Sequence, residues 1–384
     1  MDAPLGTEHC HECGLQLVIP PLNEQQKAVC PRCQYVLTTK HKDAIERTLI
    51  FSITAALFLV FSFFFEFLTF KSNGIERSIS LITSVNVLLE YNYVLLAVIE
   101  VLTIFIIPSL ILLALIYLSL FRLSNYPPPQ GRKILVCLAK LLPWNMVEIF
   151  LIGVLVSLIK IVALADIDLG LAFYSFILFS LFMLAALLHF DQRELSVWLN
   201  EGKPIVDNKM LHQLATPLAA KHSVQRTWAL LITSVVLYIP ANVFPIMNTR
   251  LLGQEDPSTI IGGVILLWQH GSYPIAMIIF IASVLVPMSK IVILAWLNYS
   301  VQKNSNMMIK ERIKLYRMAE FVGRWSMVDV FVVIIIVSLV QLGDTMMVLP
   351  GYATTAFSGV VVLTMLAAMS FDSKLIYNKN TYDQ

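Results

Sequence analysis

The sequence predicts an all-α polytopic membrane protein made of two tandem four-helix units. Three observations predict this fold: an apolar composition, eight long apolar runs and an internal repeat. Of the 384 residues, 58% are hydrophobic and only 14% are charged, and the mean hydropathy is +0.76. Soluble domains are roughly 45–50% apolar and about 25% charged, so this chain lacks the polar residues needed to cover its surface in water.

Eight apolar runs approach the length of about 20 residues that a helix needs to cross a membrane. They lie at about 48–70, 94–120, 145–165, 170–190, 228–248, 274–298, 327–343 and 352–371. Two further apolar stretches, 78–90 and 258–269, are too short to cross. We expect them to form re-entrant or interfacial helices, or caps packed on the outer face.

The second half of the chain repeats the first. "WNMVEIFLIGVLVSL" (144–158) matches "WSMVDVFVVIIIVSL" (325–339), and "RTLIFSITAALFLV" (47–60) matches "RTWALLITSVVLYI" (226–239). Each copy holds four spans, and an even number makes the two copies parallel in topology. Such repeats are common in transporters, where the site lies between the halves near the midplane.

The repeat also predicts the domain boundaries. Residues 1–46 are expected to form a small N-terminal domain and residues 47–198 the first four-span unit. Residues 199–225 are expected to form a linker, and residues 226–384 the second four-span unit.

Basic residues predict the orientation. With the N-terminus in the cytoplasm, 22 of the 27 Lys and Arg residues fall in inner segments. Only Lys71, Arg77 and Arg250 fall outside, and Lys160 and Lys290 lie within spans. This positive-inside pattern predicts that both termini are cytoplasmic. The chain starts with polar residues and its first apolar run begins near Leu49, so no cleavable signal peptide is expected.

Four cysteines in the opening segment have the spacing of a zinc ribbon. Cys10 and Cys13 form one CxxC pair, and Cys30 and Cys33 form a second pair sixteen residues later. Two disulfides or a redox pair are the alternatives, but disulfides are disfavoured in the cytoplasm. Four thiolates would close a tetrahedral Zn²⁺ site and leave no open position for catalysis, so docking or rigidity is its expected role. Cys137 is expected to be a small buried hydrophobic residue.

Polar residues within the spans are the candidate lipid- or proton-handling groups. Lys290 lies about ten residues from either end of its span, and Ser283 lies seven residues earlier on the same helical face. Ser157 and Lys160 share a face of the third span, and Thr364 lies midway along the last. Ionisable residues in spans are costly and commonly functional, and a buried lysine can exchange a proton.

A structural interpretation of these polar groups stays open. Lys160 can extend its amine outward to the headgroups, and the hydroxyl groups can bond to their own backbones. Glu148 and Asp329 occupy equivalent repeat positions near the cytoplasmic interface, where they can pair with Arg132 or Arg324. They are therefore the weaker site candidates.

No enzyme motif accompanies the spans. The sequence contains no Walker motif, no recognisable Ser/His/Asp arrangement and no haem-attachment CxxCH. The net charge of +2 gives no strong nucleic-acid footprint. We therefore expect neither an enzyme nor a nucleic-acid-binding protein.

Several stretches together resemble one family. The CxxC–x16–CxxC segment, "PWNMVEIFLIGVLVSLIK", "YIPANVFPIMN", "GGVILLWQHGSYP" and "EFVGRWSMVDVFVV" are similar to the paraquat-inducible protein A family of Gram-negative inner-membrane proteins. The resemblance covers nearly the whole chain. Family members often carry a second pair of CxxC motifs between the units, which this sequence lacks.

The resemblance implies a role in lipid transport. It implies a subunit in the cell inner membrane that partners a periplasmic MCE-domain (mammalian cell entry) protein. Such a subunit would move phospholipid between the membrane and the MCE tunnel and so support outer-membrane integrity. The resemblance also matches Lys290, Ser283 and Thr364 to a polar network in the second unit, and Lys160 to a lysine in the first.

Three other functions remain open. A proton-coupled exporter of small toxic molecules would be expected to carry an acidic site at mid-membrane. A non-transporting scaffold for the periplasmic partner would tolerate apolar replacement of the buried polar residues. A membrane thiol oxidoreductase would hold a titratable disulfide in place of a metal.

Overall fold

The computed structural model describes residues 7–10, 12–20, 22–72, 75–161, 166–200, 217–251, 254–269, 271, 273–303, 309–340 and 346–377. Within these segments, eight helices are long and apolar enough to cross a membrane. They are Ala44–Phe64, Val94–Leu123, Gly131–Ile159, Leu171–His189, Lys221–Val243, Ile281–Gln302, Ile309–Leu339 and Tyr352–Ser370. The prediction of an all-α protein with eight spans is therefore confirmed.

An N-terminal ribbon precedes the first unit. Its strands are β1 (Thr7–His9), β2 (Gln16–Val18), β3 (Lys27–Val29) and β4 (Val36–Thr39). The helices that follow are α1 (Ala44–Phe64), α2 (Leu81–Glu90), α3 (Val94–Glu100), α4 (Ile107–Leu123), α5 (Gly131–Leu141), α6 (Val147–Ile161), α7 (Leu171–His189) and α8 (Gln192–Asn200). A 3₁₀ turn at Leu142–Trp144 follows α5.

The second unit repeats this order. Its helices are α9 (Pro217–Val243), α10 (Ile260–Gln269), α11 (Tyr273–Phe280), α12 (Val286–Gln302), α13 (Ile309–Trp325), α14 (Val328–Leu339) and α15 (Tyr352–Ser370). A 3₁₀ turn, Ser373–Ile376, ends the described chain. In the first unit α1 packs against α7 and α4, and in the second α9 packs against α15 and α12 in the same way. Most of the predicted 199–225 linker lies outside the described residues.

A π-helical segment interrupts the second span of each unit. Val101–Ile106 joins α3 to α4, and Ile281–Leu285 joins α11 to α12. Pro108 and Pro287 follow two residues after these segments. Proline has no N–H and its ring crowds the preceding turn, so a widened turn before it is the expected response. Both units therefore have a π-helical segment followed by a proline at the same place in the second span.

Two small sheets cover the end of the bundle opposite the ribbon. In the first unit β5 (Leu68–Ser72) pairs with β6 (Ile75–Ile79) and β7 (Asp166–Leu169). In the second, β8 (Met247–Leu251) pairs with β9 (Gln254–Ser258) and with β10 (Met346–Pro350). We call this end the sheet side and the opposite end the ribbon side. The sequence analysis did not predict these strands.

The two units meet along α6 and α14, a contact we call the seam. At Gly153 of α6, an added Cβ atom would lie 2.9 Å from the Cβ atom of Phe331. Glycine therefore allows the two helices to approach this closely. Every residue of α14 from Val330 to Leu339 is buried. Tyr93, at the start of α3, also donates a hydrogen bond across the seam to the carbonyl of Pro350.

The short apolar stretches both form helices at the sheet side, but they pack differently. Ser80 caps α2 by accepting a hydrogen bond from the Thr83 N–H, and Thr259 caps α10 in the same way. Helix α2 then packs against α14 of the other unit, whereas α10 packs chiefly on α11. The expectation of a cap packed on the outer face therefore fits α2 better than α10.

Candidate functional site

The ribbon contains two turns of the same geometry, one at each CxxC pair. In the first, the Gly14 N–H donates to the Cys10 carbonyl at 2.9 Å, and Gly14 has φ +68°. In the second, the Gln34 N–H donates to the Cys30 carbonyl at 2.9 Å, and Gln34 has φ 59°. Gly14 adopts this left-handed conformation without a steric penalty.

The four cysteine sulfurs converge on one point. Cys10 Sγ lies 3.5 Å from Cys33 Sγ, and Cys13 Sγ lies 3.6 Å from Cys30 Sγ. These separations exceed a disulfide bond of about 2.05 Å. A tetrahedral ion with metal–sulfur distances of about 2.3 Å requires sulfurs about 3.8 Å apart. All four residues are buried, and the four sulfurs lie within 4.8 Å of one another. The donor set therefore fits a tetrahedral metal site.

Metal binding requires deprotonated sulfur, and without an ion the surroundings shift the pKa values of these thiols in opposite directions. Burial would raise the pKa of Cys30, but hydrogen bonds with the backbone of Cys33 and Arg32 outweigh it and lower the pKa to about 7. Burial raises the pKa of Cys13. The fifth cysteine, Cys137, is exposed on the amphipathic helix α5, so the expectation that it is buried is wrong.

The ribbon docks on both units. Glu12, between the first two cysteines, lies 3.7 Å from the Arg317 guanidinium of α13, and its carbonyl accepts a hydrogen bond of 3.0 Å from Ser373. Burial raises the pKa of Glu12, and the charge of Arg317 opposes this effect. On the first unit, the Thr38 hydroxyl of β4 donates to the Asp191 carboxylate.

Lys290 lies at the ribbon-side half of the second unit. It is only 2% exposed, and its Nζ atom lies 3.4 Å from the Gly323 carbonyl of α13. An added Cβ atom at Gly323 would lie 2.6 Å from Lys290 Cε and 2.7 Å from Nζ. The glycine therefore provides the space for the lysine side chain. The amine does not extend outward to the lipid.

A cavity of about 220 Å³ lies beside this amine. It carries two further charged side chains, Glu320 and Arg324 of α13, and its other walls are apolar. The cavity lies between the two units, because the first unit contributes Leu142 and Pro143. The remaining wall comes from α15, through Met365, Ala368 and Met369.

The other predicted polar residues lie at different distances from this cavity. Ser283 is buried in the π-helical segment, two turns and about 10 Å before Lys290 along the same helix. Thr364 is buried next to the cavity residue Met365, and its hydroxyl donates to the Val361 carbonyl of its own helix.

Ser157 belongs to the seam. Its hydroxyl donates to the Gly153 carbonyl at 2.8 Å and lies 3.4 Å from the Val332 carbonyl of α14. Lys160 lies in the last turn of α6, but its side chain lies outside the described part of the structure.

The two acidic candidates differ in burial. Glu148 is exposed in the first turn of α6, whereas Asp329 is half-buried in the first turn of α14. The described lining of the cavity includes neither residue. Glu148 and Asp329 therefore remain the weaker candidates.

One buried acidic residue was not singled out by the sequence analysis. Glu100, at the end of α3, is fully buried and accepts a hydrogen bond of 2.7 Å from Ser84. The signal in the sequence was a single acidic residue in a long apolar run. It lies at the sheet side, away from the Lys290 cavity.

Comparisons with known proteins give one consistent result. The family model described as paraquat-inducible protein A matches residues 45–199 and 224–381. Intermembrane transport protein PqiA of Escherichia coli K12 is 34% identical over 96% of this chain and 95% of its own length. No solved structure matches the chain.

More distant relatives extend over the same length. Lipophilic envelope-spanning tunnel protein A of Escherichia coli K12 is 27% identical over 97% of this chain and 91% of its own length. A probable intermembrane transport protein of Haemophilus influenzae is 28% identical over 97% of this chain and 96% of its own length. These relatives are named as transport or tunnel proteins, which supports a role in membrane transport. This multi-pass membrane protein belongs to the paraquat-inducible protein A family.

Proposed function

We propose that the protein is an inner-membrane subunit of an MCE-type lipid transport system. It moves phospholipid between the inner membrane and a tunnel formed by a periplasmic MCE-domain partner, and so supports outer-membrane integrity. The observation that carries this proposal is the buried Lys290 amine beside a cavity between the two units. The names of the relatives support intermembrane transport of a lipophilic cargo.

The chemistry of the cavity suits a phosphate headgroup. Lysine binds phosphate as a point charge. Arg324 in the same lining adds a second positive charge against the one carboxylate of Glu320. At about 220 Å³ the cavity is smaller than a typical small-molecule pocket of roughly 300–1,000 Å³. It therefore suits a headgroup whose acyl chains remain in the bilayer. Ser283 and Thr364 are the proposed supporting polar groups nearest this cavity. Ser157 and Lys160 lie farther along α6, toward the sheet side, and are proposed to handle lipid or protons there.

The ribbon is proposed to be a structural zinc site on the cytoplasmic side. Cys10, Cys13, Cys30 and Cys33 would hold the ion, which would contribute folding energy and no catalytic position. The ribbon side and both termini are then cytoplasmic, and the sheet side faces the periplasm and the MCE partner. The positive-inside pattern of Lys and Arg supports this orientation.

Replacing Lys290 tests this function. In cells that lack redundant lipid transporters, we expect Lys290→Met to lose the outer-membrane barrier, measured as sensitivity to detergent. Methionine keeps the length and apolar stem of lysine and removes the amine. Lys303→Met is the matched control, because Lys303 is exposed at the end of the same helix.

Two results would contradict the proposal. An intact barrier with Lys290→Met at normal protein levels would favour a scaffold that does not transport lipid. Efflux of small toxic molecules from vesicles that contain the protein alone would favour the exporter.

A further inference from the structure

Glu100 occupies an unusual position for a carboxyl group. It is fully buried at the junction of α3 and the π-helical segment Val101–Ile106. It lies six residues, or about 9 Å, from the sheet-side start of its span. Single π-helical turns occur frequently at functional sites.

A chain of hydroxyl groups links this carboxyl to the second unit. Ser84 of α2 donates to Glu100 Oε1 at 2.7 Å, and Ser84 Oγ lies 3.1 Å from Ser338 Oγ of α14. The single hydroxyl proton of Ser338 can be donated either to Ser84 Oγ or to the Ile334 carbonyl, which lies at 2.8 Å. All three polar side chains are buried, so the chain crosses the seam without contact with solvent.

The second carboxyl oxygen, Oε2, is buried and has no hydrogen-bond partner within the described residues. A buried carboxylate is very costly unless a cation or several donors compensate its charge. Ser84 supplies one hydrogen bond and no charge. This geometry therefore suits the neutral, protonated acid.

The titratable side chains that the structure describes on the surrounding elements lie elsewhere. Asp329 and Glu148 lie in the ribbon-side first turns of α14 and α6, and Asp329 is nine residues, or about 14 Å, from Ser338. Glu90 of α2 and Tyr352 of α15 are exposed at helix ends, and Arg122 lies in the last turn of α4. The side chain of Lys160, at the sheet-side end of α6, lies outside the described residues.

We propose that Glu100 is a proton-binding site that controls the packing of α2 of the first unit against α14 of the second. With the proton bound, the carboxyl is neutral and the Ser84–Ser338 contact closes the sheet side of the seam. When water reaches the site, the proton passes to water, and the resulting carboxylate requires a hydrated environment. Helix α2 then separates from α14, and reprotonation closes the contact again.

Infrared difference spectroscopy of the purified full-length protein in lipid tests the proton site directly. Protonated carboxylic acids have a C=O stretching band that carboxylates lack. We expect a band at neutral pH that disappears at alkaline pH and is absent from Glu100→Gln. The control Glu90→Gln, at the exposed end of α2, should keep it. Ser84→Ala should shift the band, because its hydrogen bond is lost.

Hydrogen exchange of the α2 amides, corrected for the intrinsic effect of pH on the exchange rate, tests whether α2 stays packed against α14. In the unmodified protein, protection of α2 should fall as the infrared band disappears. In Glu100→Gln, which keeps the shape of the side chain but cannot ionise, protection should not change.

Two outcomes would overturn the inference. One is the absence of a Glu100 band at every pH, as expected for a carboxylate paired with Lys160. The other is α2 protection that depends equally on pH in Glu100→Gln. Neither measurement requires lipid transport, so the lipid function and the proton site can fail independently.

Discussion

The two units share one helical plan but carry their buried charged residues at different places. Alignment on Pro108 and Pro287 pairs Lys290 with Ile111, and Glu100 with Ile279. The first unit therefore has a buried acid near the sheet side, and the second has a buried amine at the ribbon-side cavity. After duplication, the helices and their π-helical segments stayed alike while the polar chemistry diverged.

The same alignment shows a difference at the seam. Ser84 of α2 is buried against α14, whereas its equivalent in α10 is Gly263, where an added Cβ would meet no atom within 4 Å. In α10, Ile265, Leu266 and Trp268 are each at least half exposed. The first unit therefore covers the sheet side of the seam with α2. The second unit supplies the Lys290 amine at the ribbon-side cavity.

The largest expected effect comes from metal removal. Metal binding to a structural four-cysteine site contributes about 10 kcal/mol or more, so Cys30→Ser or a strong chelator should unfold the ribbon. Glu12 of the ribbon contacts Arg317 and Ser373 of the second unit. Thr38 of the ribbon contacts Asp191 of the first unit. We expect hydrogen exchange to increase more in α13 than in α8.

The control for this experiment is Cys137→Ser, which should change neither helix, because Cys137 is exposed and lies outside the cluster. An equal increase in α8 and α13 would show that the ribbon does not favour the second unit.

The next largest effect is expected at the seam. Gly153→Ala places a Cβ atom 2.9 Å from Phe331 Cβ, close to the backbone of α14, and should cost about 1–3 kcal/mol of unfolding free energy. Gly359→Ala is the control within one unit, since its nearest neighbour is the flexible end of Leu237 at 3.3 Å. Unfolding in mixed micelles measures both. A larger cost for Gly359→Ala would contradict the assignment of the seam.

A smaller effect is expected at the lysine. Gly323→Ala should displace the Lys290 amine and cost about 1 kcal/mol, because the added methyl group meets the flexible end of the side chain. In a Lys290→Ala background that cost should disappear, and the substitution should be neutral or stabilising through helix propensity. A double-mutant cycle in mixed micelles measures this coupling. Additive costs would show that Gly323 does not serve to accommodate the lysine.

The smallest effect should have the opposite sign. Gly263→Ala meets no atom within 4 Å and should stabilise the protein by up to about 1 kcal/mol through helix propensity. The thermal unfolding midpoint of the purified protein measures the change. Destabilisation would show that α10 packs closely against another surface in the membrane.

The sequence was sufficient to predict the features that depend on local pattern. Eight apolar runs predicted the spans, and the CxxC spacing predicted the convergence of the four sulfurs. The hairpin of β5 and β6 was also readable, because Asn73-Gly74 between alternating residues is a strong hairpin signal.

Other features depend on tertiary packing. Lys290 donates to the backbone carbonyl of Gly323. Every residue has a backbone carbonyl, so no residue pattern identifies this partner. The burial of Glu100 depends on α2 crossing to the other unit, whereas the equivalent helix α10 packs chiefly on α11 within the described residues. Sequence similarity between the two copies gave no indication of that difference.

Site-specific photocrosslinking tests the central claim, that the Lys290 amine holds a phospholipid headgroup, most directly. A photoreactive residue at Ala368, in the cavity lining, should crosslink radiolabelled phospholipid, and Lys290→Met should abolish most of that product. A probe at Met288, half exposed on the same helix as Lys290, should crosslink lipid with or without the amine. Equal crosslinking at Ala368 in both backgrounds would contradict the account.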